Sequence, residues 1–470
     1  MNRAALSTPT ARAAEPDTGL VRRIIFASSL GTLFEWYDFY LYGSLAIFFG
    51  DLFFPPGNER AALLASLAIF GAGFGVRPLG ALVFGAIGDL VGRKYTFLLT
   101  IATMGLATAL IGFLPTYASI GLWAPILLVA LRLVQGLALG GEYGGAATYV
   151  AEHVPDSRRG YYTSYIQTTA TIGFFVSLAV IGGTRLGLGT DVFRAWGWRV
   201  PFIVSFALVG VSLYVRLKMQ ESPLFARLKA DGRVSKNPLR ESFGNRTNLR
   251  YVLLALFGAT AGQGVVWYTA QFYVLTFLQR PLNLDWKLAY TLVAIALAIA
   301  TPLFVFFGSL SDRIGRKKIM MTGFALAILT TIPLFYAIQQ LANPTMAAQV
   351  TSLPLGAAVG VVTCITLLMA YVTMTYGPIA AFLVELFPTS IRYTSMSLPY
   401  HIGNGWFGGF LPLIATAATT SPAMTEIFGS WVIFTGLIYP VAMCIVTLAV
   451  GSLFIHETKD HKIDTPIHGA

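Results

Sequence analysis

Two acidic side chains lie close together in the first long apolar segment of the chain. Glu35 and Asp38 are three positions apart, which places them on one face of a helix. An ionisable group at the centre of a bilayer costs about 2.5–3.5 kcal/mol, so its presence there indicates a function. Paired carboxyl groups can bind and release a proton, and Tyr37 between them could contact a bound molecule. The alternative is a structural pair that is neutralised by Arg77 or Arg132.

Those two arginines lie in other apolar segments of the chain. A guanidinium group stays charged at any working pH, so each needs a carboxylate from the protein or from a bound molecule. Its planar donors match a carboxylate in two parallel hydrogen bonds, which favours an anionic ligand. Arg77 is therefore predicted either to form a static ion pair with the first segment or to bind such a ligand directly.

Glu142 lies in a glycine-rich stretch at residues 136–145. Glycines four residues apart let two helices approach closely within a membrane, and we interpret this spacing as a packing device. Glu142 itself is predicted to be either a partner in a gate at the inner side or a second protonation site.

The second half of the chain offers aromatic and amide side chains in place of buried charges. They could line a cavity, and Trp267 or Tyr268 could hold a quaternary ammonium group by cation–π attraction. The alternative is ordinary hydrogen bonding between helices. Histidine ordinarily titrates near neutral pH, and His401 is the only histidine within an apolar segment, so it is a secondary proton-relay candidate. The candidates in this half are Gln263, Trp267, Tyr268, Gln271, Tyr273, Tyr371, Tyr376, His401 and Asn404.

The composition of the chain identifies the solvent around these residues. Of its 470 residues, 56% are hydrophobic and only 11% are charged, whereas soluble proteins carry about 25% charged residues. So few charges cannot cover a water-facing surface, and lipid must therefore surround much of the chain. The net charge of +11 resides largely in short loops between apolar runs, which argues against nucleic-acid binding.

Apolar runs long enough to cross a bilayer, about 20 residues each, occur twelve times. The sequence therefore predicts an all-α membrane protein with twelve transmembrane helices. If the N-terminus is inside, 24 of the 32 lysines and arginines fall on the inner side and six on the outer side. Because cytoplasmic loops retain positive charge, both termini are predicted to be cytoplasmic. The predicted spans are 24–50, 62–87, 95–114, 121–148, 160–184, 199–217, 251–278, 288–310, 318–339, 355–384, 391–418 and 430–454.

Short motifs recur in the same order in both halves of the chain. Residues 85–94 (GAIGDLVGRK) return as 308–317 (GSLSDRIGRK), 223 positions later. Residues 152–159 (EHVPDSRR) return as 385–392 (ELFPTSIR), 233 positions later. Both pairs fall at equivalent helix ends on the predicted cytoplasmic side, which indicates a duplication.

A third and weaker pair is formed by Glu221 and Glu457, 236 positions apart. Parallel repeats of this kind place a substrate site at the interface between the halves. The longest polar segment separates the two halves. The predicted regions are a cytoplasmic N-terminal tail at 1–23, six-helix bundles at 24–217 and 251–454, a cytoplasmic linker at 218–250 and a cytoplasmic C-terminal tail at 455–470.

Motifs for enzyme chemistry are missing from the sequence. It contains no GxSxG, HExxH or phosphate-binding loop and no metal-ligand spacing. Cys364 and Cys444 both lie in apolar runs and do not indicate a disulfide framework. We therefore predict no catalytic residues, no metal and no cofactor.

The repeated loop motif resembles that of the major facilitator superfamily. Segments 35–40 (EWYDFY), 77–80 (RPLG), 132–136 (RLVQG) and 140–145 (GGEYGG) resemble its metabolite:proton symporter family. Members of that family carry shikimate, 2-oxoglutarate, citrate and related acids, or proline and betaine. The resemblance covers essentially the whole chain and implies a secondary active transporter built from two pseudo-symmetric bundles. Leu90 departs from the family pattern, which usually has a basic residue at that position.

The resemblance also implies roles for particular residues. The arginine of the RLVQG motif is linked to proton transfer in this superfamily, which assigns that role to Arg132. Gln135 of the same motif and Arg132 itself become candidates for substrate contact. In the family, the aspartate and arginine of the loop motif latch a cytoplasmic gate while the cavity faces outward. The predicted gate residues are Asp89, Arg93, Asp312 and Arg316.

These observations predict proton-coupled symport of a small carboxylate metabolite, by alternating access, across a bacterial inner membrane. A zwitterionic osmolyte such as proline or betaine is the alternative substrate, since zwitterions also carry a carboxylate. The proton-coupling residues are expected to be Glu35, Asp38, Arg132 and Glu142. The predicted partners are the metabolite, protons and the lipid bilayer, with no nucleic acid and with the monomer as the functional unit.

Overall fold

The structure is a computed structural model that describes residues 18–57, 59–218, 220–346 and 348–463. These residues are almost entirely helical, and the β-pairing among them is one isolated bridge between Leu284 and Val350. Most of the predicted N-terminal tail and the end of the predicted C-terminal tail, residues 464–470, lie outside the described residues.

Six long helical runs make up the first half of the described chain, and we number them as spans 1 to 6. Spans 2 and 4 are each interrupted near the middle. The runs are Thr18–Phe53 (span 1), Glu59–Gly75 with Arg77–Leu90 (span 2), Arg93–Ile111 (span 3), Trp123–Leu139 with Glu142–Ala151 (span 4), Arg159–Leu188 (span 5) and Arg199–Leu217 (span 6). Short helical segments lie at Tyr117–Ile120, Asp156–Arg158, Thr190–Val192 and Phe193–Gly197.

The second half repeats this order after two short linker helices, Pro223–Ala230 and Pro238–Phe243. Spans 7 and 11 contain π-helical segments, which are frequent at functional sites. Span 7 runs through Arg246–Ala255, Leu256–Thr260, Ala261–Tyr268, Thr269–Tyr273 and Val274–Gln279. The others are Trp286–Ile314 (span 8), Arg316–Ala342 (span 9), Leu355–Tyr376 with Ile379–Leu386 (span 10), Arg392–His401 with Ile402–Gly408 and Leu411–Thr419 (span 11), and Pro422–Phe428 with Gly429–Leu437 and Ile438–Phe454 (span 12).

Ten of these runs in the described chain are apolar and long enough to cross a membrane by composition alone. Spans 1 and 11 fall outside that set because polar side chains lower their mean hydropathy. Span 1 carries Glu35 and Asp38, and span 11 carries His401 and Asn404. With these two spans the bundle has twelve membrane-spanning helices, and the predicted all-α membrane fold is confirmed.

The two halves contact each other through two pairs of spans that occupy equivalent positions in the repeat. Span 5 packs along span 8, and the second segment of span 2 packs on the first segment of span 11. Within the first half, spans 2 and 4 approach closely at glycine. A side chain at Gly136 would overlap the carbonyl of Gly73, which agrees with the packing role predicted for the glycine-rich stretch.

One end of the bundle carries the repeated motifs, the linker helices and residues 455–463. We call this end the charged face, and the other end the opposite face.

Candidate functional site

Glu35 forms a buried ion pair with Arg77 of span 2. The carboxylate oxygen Oε1 lies 3.5 Å from Arg77 Nη1. The second oxygen, Glu35 Oε2, and the Nε of Arg77 have no hydrogen-bond partner. The guanidinium group lies over the ring of Phe74, 4.1 Å from its centroid. The pair therefore has one long polar contact and leaves both a donor and an acceptor open.

A second buried ion pair joins Asp38 to Arg132 of span 4, with 3.5 Å between Oδ2 and Nη1. Gln135 links the two groups, because its amide donates to Asp38 Oδ1 at 2.9 Å and its carbonyl accepts from Arg132 at 3.0 Å. The same amide donates to Thr108 at 2.7 Å, and Arg132 lies over the ring of Tyr42 at 4.2 Å. This pair is more fully hydrogen-bonded than the first.

Glu142 forms a third buried ion pair, with Arg216 in the last turn of span 6. Its carboxylate also accepts from Thr100 at 3.1 Å, and Arg216 donates to the backbone carbonyl of Phe97 at 3.0 Å. All four residues belong to the first half, so the pair does not bridge the halves. Arg216 lies within the predicted span 199–217 and is buried.

Aromatic side chains fill the space between span 1 and span 7. The indole rings of Trp36 and Trp267 face each other across the two halves, with centroids 4.7 Å apart. Tyr268 packs edge-on against aromatic rings of spans 1 and 2. Gln271 accepts a hydrogen bond of 2.5 Å from Tyr40. Three of the candidates in span 7 are therefore brought against the first half.

A stack of tyrosines joins span 4 to spans 10 and 11. The rings of Tyr143 and Tyr400 are parallel, with centroids 3.6 Å apart. The hydroxyl of Tyr400 lies 2.6 Å from that of Tyr376. Gln167 of span 5 donates to the hydroxyl of Tyr143 at 2.7 Å. Tyr376 also lies parallel to the ring of Tyr143 at 6.2 Å, so it contacts the first half both directly and through Tyr400.

The polar residues of span 11 have different neighbours. Asn404 exchanges two amide hydrogen bonds with Gln263 of span 7, at 2.9 and 3.2 Å, so its side chain is engaged within the second half. His401 is fully buried, and neither ring nitrogen has a hydrogen-bond partner among the described residues. It is the last residue of the segment of span 11 that packs on the second segment of span 2. His401 therefore lies at the interface of the halves.

Tyr37 is another candidate that contacts its own half, as Tyr273 and Tyr371 do through Ile433 and Thr330. Its hydroxyl donates to the backbone carbonyl of Pro201 in span 6 at 2.7 Å, within the first half. A residue two positions along a helix is rotated by about 200°, so Tyr37 lies on a different face from Glu35. The predicted contact between Tyr37 and a molecule at the centre is therefore corrected to a contact with span 6.

The first copy of the loop motif contacts span 11 at the charged face. Asp89 accepts hydrogen bonds from the backbone N–H and the hydroxyl of Thr394, at 2.9 and 2.8 Å. Arg93 lies 3.3 Å from Asp89 and 3.6 Å from Glu152. Glu152 is in turn bound by Arg392 of span 11 at 3.1 Å. This copy of the motif is therefore held to the second half by neutral and ionic hydrogen bonds.

The second copy repeats this arrangement with the halves exchanged. Asp312 accepts hydrogen bonds from two backbone N–H groups at the start of span 5, both at 2.8 Å. Arg316 lies 2.6 Å from Asp312 and 3.1 Å from Glu385. Glu385 is bound by Arg159 of span 5 at 2.8 Å. We call the two sets together the paired latch, which consists of Asp89, Arg93, Glu152, Arg159, Asp312, Arg316, Glu385 and Arg392.

The weaker repeat pair also belongs to this region. Glu221 accepts from the first backbone N–H of span 3 at 3.1 Å, and Glu457 accepts from the first backbone N–H of span 9 at 2.8 Å. Each span is preceded by a glycine with positive φ, Gly92 at 137° and Gly315 at 111°. The two glutamates therefore cap equivalent helices of the two halves.

Residues 455–463 cross the charged face below the paired latch. Arg392 donates to the carbonyl of Ile463 at 2.5 Å, and Arg159 donates to the carbonyl of His461 at 3.4 Å. One short stretch of chain thus contacts an arginine from each half.

The opposite face is held together by aromatic groups. The ring of Phe174 in span 5 stacks in parallel with that of Tyr290 in span 8, with centroids 6.3 Å apart. The guanidinium of Arg185 lies 4.6 Å from the ring centroid of Trp286. Contacts between the halves therefore exist at both ends of the bundle. Within the described ranges, no cluster of His, Cys, Asp or Glu is arranged to hold a metal ion.

Several residues of these clusters escaped the sequence analysis as site residues. The latch members Glu152, Arg159, Glu385 and Arg392 lie in the second repeat pair, so that repetition was an available signal. Tyr143, Tyr400 and Arg216 carried no comparable signal, because only the packing of helices reveals their partners.

Two six-helix bundles, buried ion pairs within the first of them and a charged latch that joins them at one end define a polytopic membrane transporter. Residues 29–411 match the Major Facilitator Superfamily, and the chain belongs to this family. Its fold and family are those of a transporter and not of an enzyme.

The most similar relatives include metabolite transporters that match along nearly their whole length. The inner membrane metabolite transport protein YhjE of Escherichia coli is 35% identical over 451 residues, covering 94% of this chain and 95% of that protein. The alpha-ketoglutarate permease of E. coli is 33% identical, covering 96% and 98%. The proline/betaine transporter of Salmonella typhimurium is 32% identical, covering 85% and 78%. The chain is therefore a multi-pass membrane transporter of metabolites.

The fold is also that of solved transporter structures. The proton:xylose symporter XylE, bound to 6-bromo-6-deoxy-D-glucose, superposes with a TM-score of 0.74 at 17% identity, covering 95% of this chain and 98% of that one. At this identity the likeness establishes the fold alone.

Proposed function

We propose that the protein carries a small carboxylate metabolite into the cell together with protons, by alternating access. The bundles at 24–217 and 251–454 rock around the central site, and the linker at 218–250 joins them. In this proposal the charged face and both termini are cytoplasmic, because lysine and arginine concentrate on that side. The paired latch is then the cytoplasmic gate, and one chain is sufficient for transport.

The observation that carries this proposal is the charge balance at the centre. Arg77 and Arg132 are each already paired with a carboxylate of the protein. A substrate carboxylate can take over a guanidinium group when the protein carboxylate becomes neutral, and protonation achieves this. Binding of substrate and binding of a proton then favour each other, which is the thermodynamic basis of symport.

The Glu35 pair suits this exchange better than the Asp38 pair. Gln135 hydrogen-bonds to both members of the Asp38 pair, whereas the Glu35 pair is joined by a single contact of 3.5 Å. We assign Arg77 to the substrate and Glu35 to the coupled proton. Asp38, which Gln135 hydrogen-bonds, is the second proton-binding group in this proposal and lies inside the first half.

The open hydrogen-bonding groups favour an organic acid over a zwitterionic osmolyte. The indole N–H groups of Trp36 and Trp267 and the Nε of Arg77 are buried donors without partners, as an anionic ligand requires. A quaternary ammonium group needs ring faces instead, and these two indole faces lie against each other. The osmolyte alternative is supported by the relatives named for proline and betaine.

Uptake into proteoliposomes tests both parts of this proposal. With an outside more acidic by about two pH units, one net proton per substrate supports about 100-fold accumulation. We expect a labelled 2-oxo acid or dicarboxylate to accumulate, a protonophore to abolish accumulation, and unlabelled betaine not to compete. Accumulation that survives the protonophore contradicts proton coupling. Competition by betaine and proline alone contradicts the assignment of an organic acid.

A further inference from the structure

The Arg216–Glu142 pair is a buried ion pair that substrate binding and gating leave unexplained. Its side chains are 1% and 3% exposed. Its neighbours, Thr100 and the backbone of Phe97, belong to the first half, so the pair does not hold the halves together. A buried ion pair is weak evidence for stability, because desolvation offsets much of the attraction. Ionisable residues within a membrane span instead indicate a site on an ion or proton pathway.

The pair continues the row of charges along span 1. Gly31, Glu35 and Asp38 follow one another on the same face of this helix, at spacings of four and three residues. A side chain at Gly31 would overlap both Arg216 and Glu142, so the pair lies directly against that glycine. The rise of the helix from residue 31 to residue 35 is about 6 Å, roughly one turn. Glu142 therefore lies about one turn from Glu35 in the direction of the charged face.

Polar groups continue from Glu142 toward the charged face. Tyr393 of span 11 donates its hydroxyl to the backbone carbonyl of Gly141, next to Glu142. The following residue, Thr394, binds Asp89 of the paired latch. The charged and titratable groups that face Glu142 are thus Glu35 on span 1, Arg216 on span 6 and Tyr393 on span 11.

We infer that Glu142 is the inner proton acceptor, through which the proton bound at Glu35 leaves toward the charged face. In this step the O–H bond of protonated Glu35 breaks and one forms at Glu142, whose contact with Arg216 is released. Glu35 regains its charge and pairs again with Arg77, which lowers the affinity of the site for the substrate carboxylate. When the latch opens, Glu142 gives the proton to water and pairs again with Arg216. This inference rests on the proposed symport.

The test compares Glu142→Gln and the double variant Glu142→Gln/Arg216→Gln with wild-type protein in proteoliposomes. The double variant leaves no unpaired buried charge, so it remains informative if the single variant does not fold. Two quantities are measured, the exchange of labelled for unlabelled substrate at equal pH and the accumulation driven by a pH gradient. Wild-type accumulation is measured first, because its absence would refute the symport proposal and not the role of Glu142.

We expect a folded variant to keep exchange within about threefold of wild type and to lose accumulation, from about 100-fold to about onefold. An internal pH dye should then report substrate entry without proton entry. Accumulation at the wild-type level overturns the inference. Equal loss of exchange and accumulation in the double variant also overturns it, since this is the signature of a structural pair.

Discussion

The two halves of the molecule are nearly equivalent at the charged face and very different in the middle of the bundle. In the latch, Arg93 contacts Glu152 much as Arg316 contacts Glu385, and in both copies an arginine of the other half completes the set. In the middle, the described part of the first half has three buried arginine–carboxylate pairs. The second half contributes amides, tyrosines and tryptophan there.

This difference reflects two different tasks, which are the closing of a gate and the coupling of substrate to protons. A gate must be held by both halves, so equivalent motifs at equivalent helix ends serve it well. A coupled site needs groups that bind protons and groups that shape the substrate pocket, and these need not lie on both halves. Mutations should therefore act symmetrically at the charged face and asymmetrically at the centre.

The largest effect is expected for Arg132→Lys. A lysine ammonium group lacks the planar guanidinium that lies over the ring of Tyr42 while its Nη1 contacts both Asp38 and Gln135. Loss of a buried pair costs about 4 kcal/mol, so exchange and accumulation should both fall by about 1,000-fold in proteoliposomes. Arg194→Lys is the matched control, because its ion pair with Asp51 is exposed and should contribute at most about 1 kcal/mol. Near-normal transport by Arg132→Lys would show that the planar guanidinium group is not required.

Two variants of the latch test its symmetry. Glu152→Gln and Glu385→Gln each remove a carboxylate that holds an arginine of the other half. A hydrogen bond to a charged group contributes about 2 kcal/mol, so each variant should favour the open latch by about 30-fold. The rate of thiol alkylation at Ser397→Cys, a buried position of span 11, measures this opening.

We expect equal acceleration in the two latch variants, within about threefold. The native cysteines are buried, and the protein without Ser397→Cys gives their background rate. Glu426→Gln, at an exposed carboxylate, is the control for charge loss. If thiol alkylation accelerates in only one of the two variants, the two halves do not contribute equally to the latch.

A smaller effect is expected from shortening the chain. A chain that stops after Asp460 lacks the two carbonyls that accept from Arg159 and Arg392. Water can replace both carbonyls when the segment is absent, so the net loss should favour the open latch by only about 1.4 kcal/mol, which corresponds to about tenfold faster alkylation of Ser397→Cys. A chain that stops after Ile463 keeps both contacts and is the control. Equal rates in the two shortened chains contradict a contribution of residues 461–463.

Two kinds of feature could be predicted from the sequence. They are the motifs that repeat and the charged residues whose burial in lipid is energetically costly. The twelve spans follow from apolar length, and the latch follows from motifs repeated at helix ends. Glu35, Asp38, Arg77 and Arg132 were conspicuous because charge is rare in lipid. The sequence offered pairing of the first segment with Arg77 or Arg132 as an alternative. Which carboxylate binds which arginine could not be predicted, since this depends on how spans 2 and 4 are rotated against span 1.

Other features depend on packing alone. Arg216 lies at the end of the predicted span 199–217, and nothing in the sequence indicates that its partner is Glu142. Tyr37 and Tyr40 are both tyrosines of one helix, yet one contacts span 6 and the other contacts span 7. The stack of Tyr143 on Tyr400 joins residues far apart in the chain and leaves no pattern in either segment.

The most direct test of proton coupling at the centre is a paired measurement on Glu35→Gln. Exchange of substrate at equal pH and accumulation driven by a pH gradient are measured in the same proteoliposomes, with proton entry followed by an internal dye. Glutamine resembles the protonated carboxyl group, so we predict that exchange is retained, while accumulation and substrate-dependent proton entry disappear. Accumulation at the wild-type level, or loss of exchange in proportion to accumulation, would contradict the coupling role of Glu35.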